Sequence, residues 1–184
     1  MISILKINNL NKDLKKLSDL LKDLGIKNDN QFIKEILEER FGEKKFVIIE
    51  KDFKQKEVFL ITKKYLDLIL DNNIDEEVIH FGLKIGTIRK HFIPTRELLE
   101  IILKKSNFKI NYLVVNEKSE WLFICNRDIF LNGIVKENKI YGNLFLILNK
   151  NNECLGLGYF RNKKIVKNFF DIGDFLRREK KGLD

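Results

Sequence analysis

The chain has 184 residues, of which 44% are hydrophobic and 34% charged, with a formal net charge of +8. That length suits one substantial core or two small domains, and the apolar share excludes a disordered composition. No apolar run approaches the ~20 residues that cross a bilayer. Met1-Ile2-Ser3-Ile4-Leu5-Lys6 lacks a signal peptide's apolar stretch and cleavage site, so a soluble cytoplasmic protein with no membrane partner is expected.

Leu10, Leu14, Leu17, Leu21 and Leu24 recur at helical spacing, and Gly25 supplies a C-terminal stop. A second amphipathic helix is expected from Asn30 to Phe41, with Phe32, Ile33, Ile36 and Leu37 as its buried face and Gly42 as its end. Phe46-Val47-Ile48-Ile49 and Val58-Phe59-Leu60-Ile61 are rich in β-branched and aromatic residues and read as two strands. The polar stretch Lys51–Lys56 between them suits a hairpin. Tyr65, Leu66, Leu68 and Ile69 suggest a short helix. Val78–Arg89, with Gly82 and Gly86, reads as strand and tight turns. Pro94 and Thr95 then introduce a helix that runs to Lys105, with Thr95 as N-cap and Glu97 in the first turn, where the helix dipole favours a carboxylate.

From Phe108 the pattern changes to short strands at regular intervals, Ile110–Val115, Trp121–Cys125, Leu144–Leu148 and Leu155–Phe160. Leu144–Leu148 is apolar on both faces, as a fully buried strand requires. Gly133, Gly142, Gly156, Gly158 and Gly173 punctuate this half, and short strands with glycine-rich turns indicate a small β-barrel. The expected fold class is therefore α+β. An N-terminal α/β domain over residues 1–106, with a small mixed or antiparallel sheet, precedes a β-barrel domain over residues 107–184.

The positive charge is localised. Residues 84–105 hold six basic residues against two acidic, residues 161–184 hold eight against four, and the remainder is neutral. The first segment offers Lys84, Arg89, Lys90 and Arg96. The second offers Arg161, Lys163, Lys164, Lys167, Arg177, Arg178, Lys180 and Lys181. Clustered lysine and arginine suit a polyanionic partner such as RNA, because cations near phosphates release condensed counterions. The alternative for either segment is a solvated face. Phe160, Phe169 and Phe170 border the second segment, and core packing is the first expectation for each, ahead of stacking on bases.

No constellation for catalysis stands out. His80 and His91 have no cysteine, serine or second histidine at catalytic spacing. Gly82-Leu83-Lys84-Ile85-Gly86-Thr87 lacks the Gly-Lys-Ser/Thr order of a phosphate loop. Asp171 and Asp174 flank Gly173 and read as caps or local partners for arginine. Cys125 and Cys154 lie in strand-like apolar segments, far apart and without a CxxC, so buried core thiols are expected. Neither a metal nor a cofactor is expected.

Several segments resemble a known family. Trp121-Leu122-Phe123-Ile124-Cys125-Asn126-Arg127-Asp128-Ile129-Phe130, followed by Gly133-Ile134, resembles the opening of a PUA domain, and Cys154-Leu155-Gly156-Leu157-Gly158 resembles its later LGxG strand. Asp171-Ile172-Gly173-Asp174-Phe175-Leu176-Arg177-Arg178-Glu179 resembles the closing DIGEYLRxE signature of the Nip-seven family of ribosome-biogenesis factors. His80–Phe92 resembles the segment joining that family's α/β domain to its PUA domain. The chain departs from the pattern at Asn116–Ser119, where Pro-Gly is usual, and at Asn126, often glycine. The resemblance implies a non-enzymatic RNA-binding adaptor for large-subunit ribosomal RNA processing and assembly. Its PUA half would contact RNA, and its α/β half other assembly proteins. The alternative is a protein-interaction module of an RNA-processing complex with little direct RNA contact.

Overall fold

The computed structural model describes residues 3–4, 10–39, 42–52, 55–71 and 82–173. The chain divides into two units. One gathers residues up to Leu20 with Asn28–Ile101, and the other gathers Leu21–Lys27 with the chain from Ile102 onward.

The first unit holds β1 (Ser3–Ile4), most of α1 (Leu10–Asp23), α2 (Asp29–Leu37), β2 (Glu38–Glu39), β3 (Gly42–Asp52), β4 (Gln55–Thr62), α3 (Lys63–Asp71), β5 (Leu83–Ile88), β6 (Phe92–Pro94) and the start of α4 (Arg96–Ser106). Its sheet runs β1-β3-β4-β5-β6, with β2 beside β3, and every pairing among the described residues is antiparallel. The expected hairpin is present, with Phe46 opposite Leu60 and Val47 opposite Phe59. Val58, Phe59, Leu60 and Ile61 are all buried, so β4 is covered on both faces. The second helix stops at Leu37 instead of Phe41, and Gly42 opens a strand rather than closing a helix. Glu38–Glu39 is drawn into pairing with the start of β3, and sheet hydrogen bonding there overrides helical periodicity.

Thr95 caps α4 as expected. Its hydroxyl accepts from Leu98 N at 3.4 Å and donates to the carbonyl of Lys84 at 3.0 Å, so the cap also fastens the helix start to β5. Leu98, Leu99, Ile102 and Leu103 are buried along the helix.

The second unit holds β7 (Tyr112–Val115), α5 (Glu117–Ile124), β8 (Ile129–Phe130), a 3-10 turn (Leu131–Gly133), β9 (Ile134–Asn138), β10 (Leu144–Leu148), β11 (Cys154–Asn162) and β12 (Ile165–Asp171). The strands form a curled half-barrel sheet in the order β8-β12-β11-β10-β7-β9. Only the β7–β10 pairing is parallel among the described residues. Leu113, Val115, Phe123, Ile129, Phe145, Ile147, Leu155 and Val166 fill its interior. All five residues of β10 are buried, as its unbroken apolar run requires.

One expected strand is a helix. Trp121–Cys125 belongs to α5 and its C-cap. Asn116, extended at φ −76° and ψ 165°, caps the helix by accepting from Ser119 N, and Glu117 and Glu120 lie in the first turn. That N-cap with acidic residues behind it favours helix nucleation. Tertiary packing then needs only Ser119 and Phe123 on the buried face, four residues apart on one helical stripe. Trp121 points outward and is 67% exposed. The same change corrects the expectation for Cys125, which is exposed at the helix end, whereas Cys154 is buried in β11. Among the described residues no helix is long and apolar enough to cross a membrane.

Candidate nucleic-acid interface

The C-terminal basic segment begins on the hairpin of β11 and β12. Asn162 shapes the turn, its side-chain oxygen accepting from Lys164 N and Ile165 N at 2.9 Å each. An asparagine that bonds backbone amides two and three residues ahead holds a tight turn without a glycine. Arg161, Lys163 and Lys164 are exposed at this tip. None of the three makes an ion pair among the described residues. Three cations held close together by a fixed turn make a site of like charge that a polyanion relieves.

Lys167 is placed differently. Its ammonium pairs with Asp128 Oδ2 at 2.6 Å, both side chains being about one-third exposed. Asp128 Oδ1 also accepts from Asn168 N at 3.2 Å, and the Asn168 amide donates to the carbonyl of Phe123 at 2.8 Å and to Asp171 Oδ2 at 3.1 Å. This network ties the loop after α5 to β12. Asp171 is buried and accepts from Gly173 N at 2.9 Å; the terminal element it was expected to cap lies outside the described residues. Asp174, Arg177, Arg178, Lys180 and Lys181 lie outside the described residues.

Of the bordering aromatics, Phe160 packs inward, edge-on to Phe145 with centroids 5.3 Å apart. Phe170 is half-buried and Phe169 exposed. Gly156 and Gly158 are buried, and a side chain at Gly156 would collide with the backbone of β12, 2.0 Å from the carbonyl oxygen of Phe170. Their smallness serves strand packing.

In the first unit, Lys84 on β5 pairs with the buried carboxylate of Glu57 on β4. Arg89 and Lys90 are exposed at the turn between β5 and β6, where Lys16 Nζ donates to the Arg89 carbonyl at 2.7 Å. Arg96 lies 3.6 Å from Glu100 one turn along α4. His91 is exposed in the same turn, its carbonyl accepting from Arg89 N at 3.1 Å. His80 lies outside the described residues.

Comparison with known proteins fits this architecture. The UPF0113 PUA domain family matches residues 111–180, the stretch that contains the half-barrel and the basic hairpin. The C-terminal unit carries a PUA-type domain. PUA domains are, as a kind, RNA-binding. A UPF0113 protein of Archaeoglobus fulgidus is 27% identical over 147 residues, covering 73% of this chain and 80% of that relative. The crystal structure of a hypothetical protein from the hyperthermophilic archaeon Pyrococcus horikoshii is similar in fold, with a TM-score of 0.55 at 12% identity over 93% of this chain and 94% of that one.

Sequence reading missed two features of the surface around the PUA hairpin. Phe130 is 58% exposed and Leu131 is 46% exposed, beside the basic tip, where Leu131 N donates to the Lys164 carbonyl at 3.3 Å. The two-residue strand β8 leaves no periodicity from which their outward placement could have been read.

Proposed function

We propose that the protein is a non-enzymatic, cytoplasmic RNA-binding adaptor that acts in large-subunit ribosomal RNA processing and assembly. Its PUA domain grips RNA, and its N-terminal half meets other assembly proteins. The observation that carries the RNA contact is the cluster of exposed cations, Arg161, Lys163 and Lys164, on the rigid turn of a PUA-type domain. The ribosomal assignment is supported by the likeness of Asp171–Glu179 to the closing signature of the Nip-seven family.

The test is RNA affinity measured across salt concentrations. Wild-type affinity should fall steeply from 50 to 200 mM salt, a range set by the counterion argument, with a log–log slope of roughly −0.7 per neutralised phosphate on single strands. Changing Arg161, Lys163 and Lys164 together to alanine should make the slope shallower by about 2, with the melting temperature unchanged. A triple variant that keeps both affinity and slope overturns the assignment of the hairpin. Crosslinking in cells and sequencing the recovered RNA tests the substrate, and recovery without enrichment of ribosomal RNA overturns that part.

Lys84 should behave otherwise. Its ammonium offsets the charge of Glu57, which is 5% exposed, so Lys84→Ala should cost about 2 kcal/mol of stability. Its RNA affinity should stay within about twofold of wild type, because a lysine already held by a carboxylate adds little counterion release. Denaturant unfolding and RNA titration of the same variant separate the two roles.

A further inference from the structure

Strands β8, β12 and β11 carry a pattern on their outward face that charge alone does not explain. Their register sets Ile129, Val166 and Phe160 in line across the three strands, and these side chains turn into the half-barrel, where Ile129 and Val166 belong to the core and Phe160 packs on it. Side chains alternate between faces along a strand, so Phe130, Ile165, Lys167 and Tyr159 occupy the opposite face. Phe130 stands across from Ile165, and Lys167 across from Tyr159. Phe130 is 58% and Tyr159 40% exposed.

The cations are set to one side of these rings. Lys167 is partnered by Asp128, so the middle of the face carries little net charge. Arg161 follows Tyr159 by two residues, and Lys163 and Lys164 form the turn just beyond Ile165. Tyr159 and Phe130 are two strands apart and offset by two residues, which puts their Cα atoms about 12 Å apart at ordinary strand spacings. Two separated aromatic rings with a cationic rim match a strand whose phosphates follow the rim while its bases turn onto the sheet. A paired duplex keeps its bases inside the helix and offers them no ring to stack on. An apolar protein segment fits less well, since the charged Asp128–Lys167 pair stands on the same face, with Lys167 directly across from Tyr159.

We propose that Phe130 and Tyr159 form a base-stacking platform that makes the PUA hairpin select unpaired RNA over duplex. This rests on the RNA-binding reading above and names the form of RNA that the same surface takes. The rings supply affinity that does not depend on salt, whereas Arg161, Lys163 and Lys164 supply the part that does.

The experiment titrates the full-length protein with a labelled single-stranded oligonucleotide of mixed sequence and with a duplex of the same length. Phe130→Ala and Tyr159→Ala should each weaken single-strand binding roughly tenfold, leave the salt slope unchanged and leave duplex binding unchanged. Tyr159→Phe and Phe130→Tyr should bind single strands within about twofold of wild type, because they keep a ring to stack on. Tyr159→Leu keeps bulk without a ring and should behave as the alanine variant, which guards against a loss caused by altered packing. Ring-removing variants that bind single strands like wild type overturn the platform, as does an equal loss on single strands and duplex. In both cases the cationic hairpin still stands if its own triple variant loses affinity. A wild-type protein that binds neither RNA at low salt overturns the RNA reading itself.

Discussion

Asn111→Ala is expected to lower stability by about 3–5 kcal/mol. Asn111 is fully buried at the entry to β7. Its side-chain oxygen accepts from Ile140 N at 2.7 Å, and its amide nitrogen faces the carbonyls of Asp23 and Leu144, each at 3.2 Å, and that of Tyr141. Its backbone donates to the Leu24 carbonyl at 2.7 Å and accepts from Leu146 N at 3.0 Å. One residue thus joins the end of α1, the loop before β10 and the sheet. Truncation removes the acceptor of Ile140 N and the donor to three carbonyls around a side chain that is itself fully buried, and each group that loses its bond costs about 1–3 kcal/mol. Thermal melting should show a drop on the order of 10 °C, and amide exchange at Ile140 should accelerate. Asn111→Asp keeps the acceptor but turns a charged oxygen toward three carbonyls, so it should be no better than alanine. A variant that melts within a degree or two of wild type would show that the loops are held by other contacts.

Gly156→Ala is expected to open the β11–β12 hairpin at its Asp171 end, at a cost of about 3–5 kcal/mol. Gly156 has φ +146°, a region side chains rarely enter, and a Cβ there would lie 2.0 Å from the Phe170 carbonyl oxygen and 2.8 Å from Asp171 Cα. Those are backbone atoms of the paired strand, so no rotamer change relieves the collision. The neighbouring Gly158 has no such φ, and its Cβ would meet the Val166 Cγ1 atom at 2.8 Å and the Lys167 carbonyl at 3.0 Å. A side chain can yield part of that space, so Gly158→Ala should cost less, about 1–3 kcal/mol. Denaturant unfolding of the two variants gives the order. If the two costs were equal, or Gly156→Ala the milder, the backbone clash would not be what reserves this position for glycine. RNA affinity of Gly156→Ala should fall only in step with its folded fraction, because the space its Cβ would take is already filled by this chain.

Much of the architecture is legible before the structure is seen, for reasons that lie in local chemistry. Leu17, Leu21 and Leu24 are buried as their spacing requires. Gly25, at φ +92°, ends α1 with bonds from Gly25 N to the Lys22 carbonyl and from Ile26 N to the Leu21 carbonyl, at 2.9 and 3.0 Å, a left-handed cap that glycine favours. Trp121–Cys125 shows where local reading fails. Five apolar residues in a row fit a buried strand or a helix equally well by composition. Asn116 followed by Glu117 and Glu120 was the signal for a helix start that the apolar run obscured. The basic hairpin was legible in part, since Arg161, Lys163 and Lys164 are exposed together, whereas Lys84 and Lys167 proved to be engaged by Glu57 and Asp128. Those carboxylates lie 27 and 39 positions away in the chain, and no spacing rule pairs residues at such separations.

By itself the sequence determined the α+β class, the strand-rich C-terminal half, the caps at Gly25 and Thr95, and the segments in which positive charge gathers. These follow from periodicity, backbone preference and charge count, each a property of a short stretch of chain. Tertiary structure alone decided that Leu21–Lys27 belongs with the C-terminal unit, that Asn111 holds its loops, and that β7 lies parallel to β10. It also decided which cations make no ion pair among the described residues and that Phe130 and Tyr159 share an outward face beside them. Each of these is set by which strands pair and in what register, and pairing depends on burying one face of a sheet against residues far away in the chain.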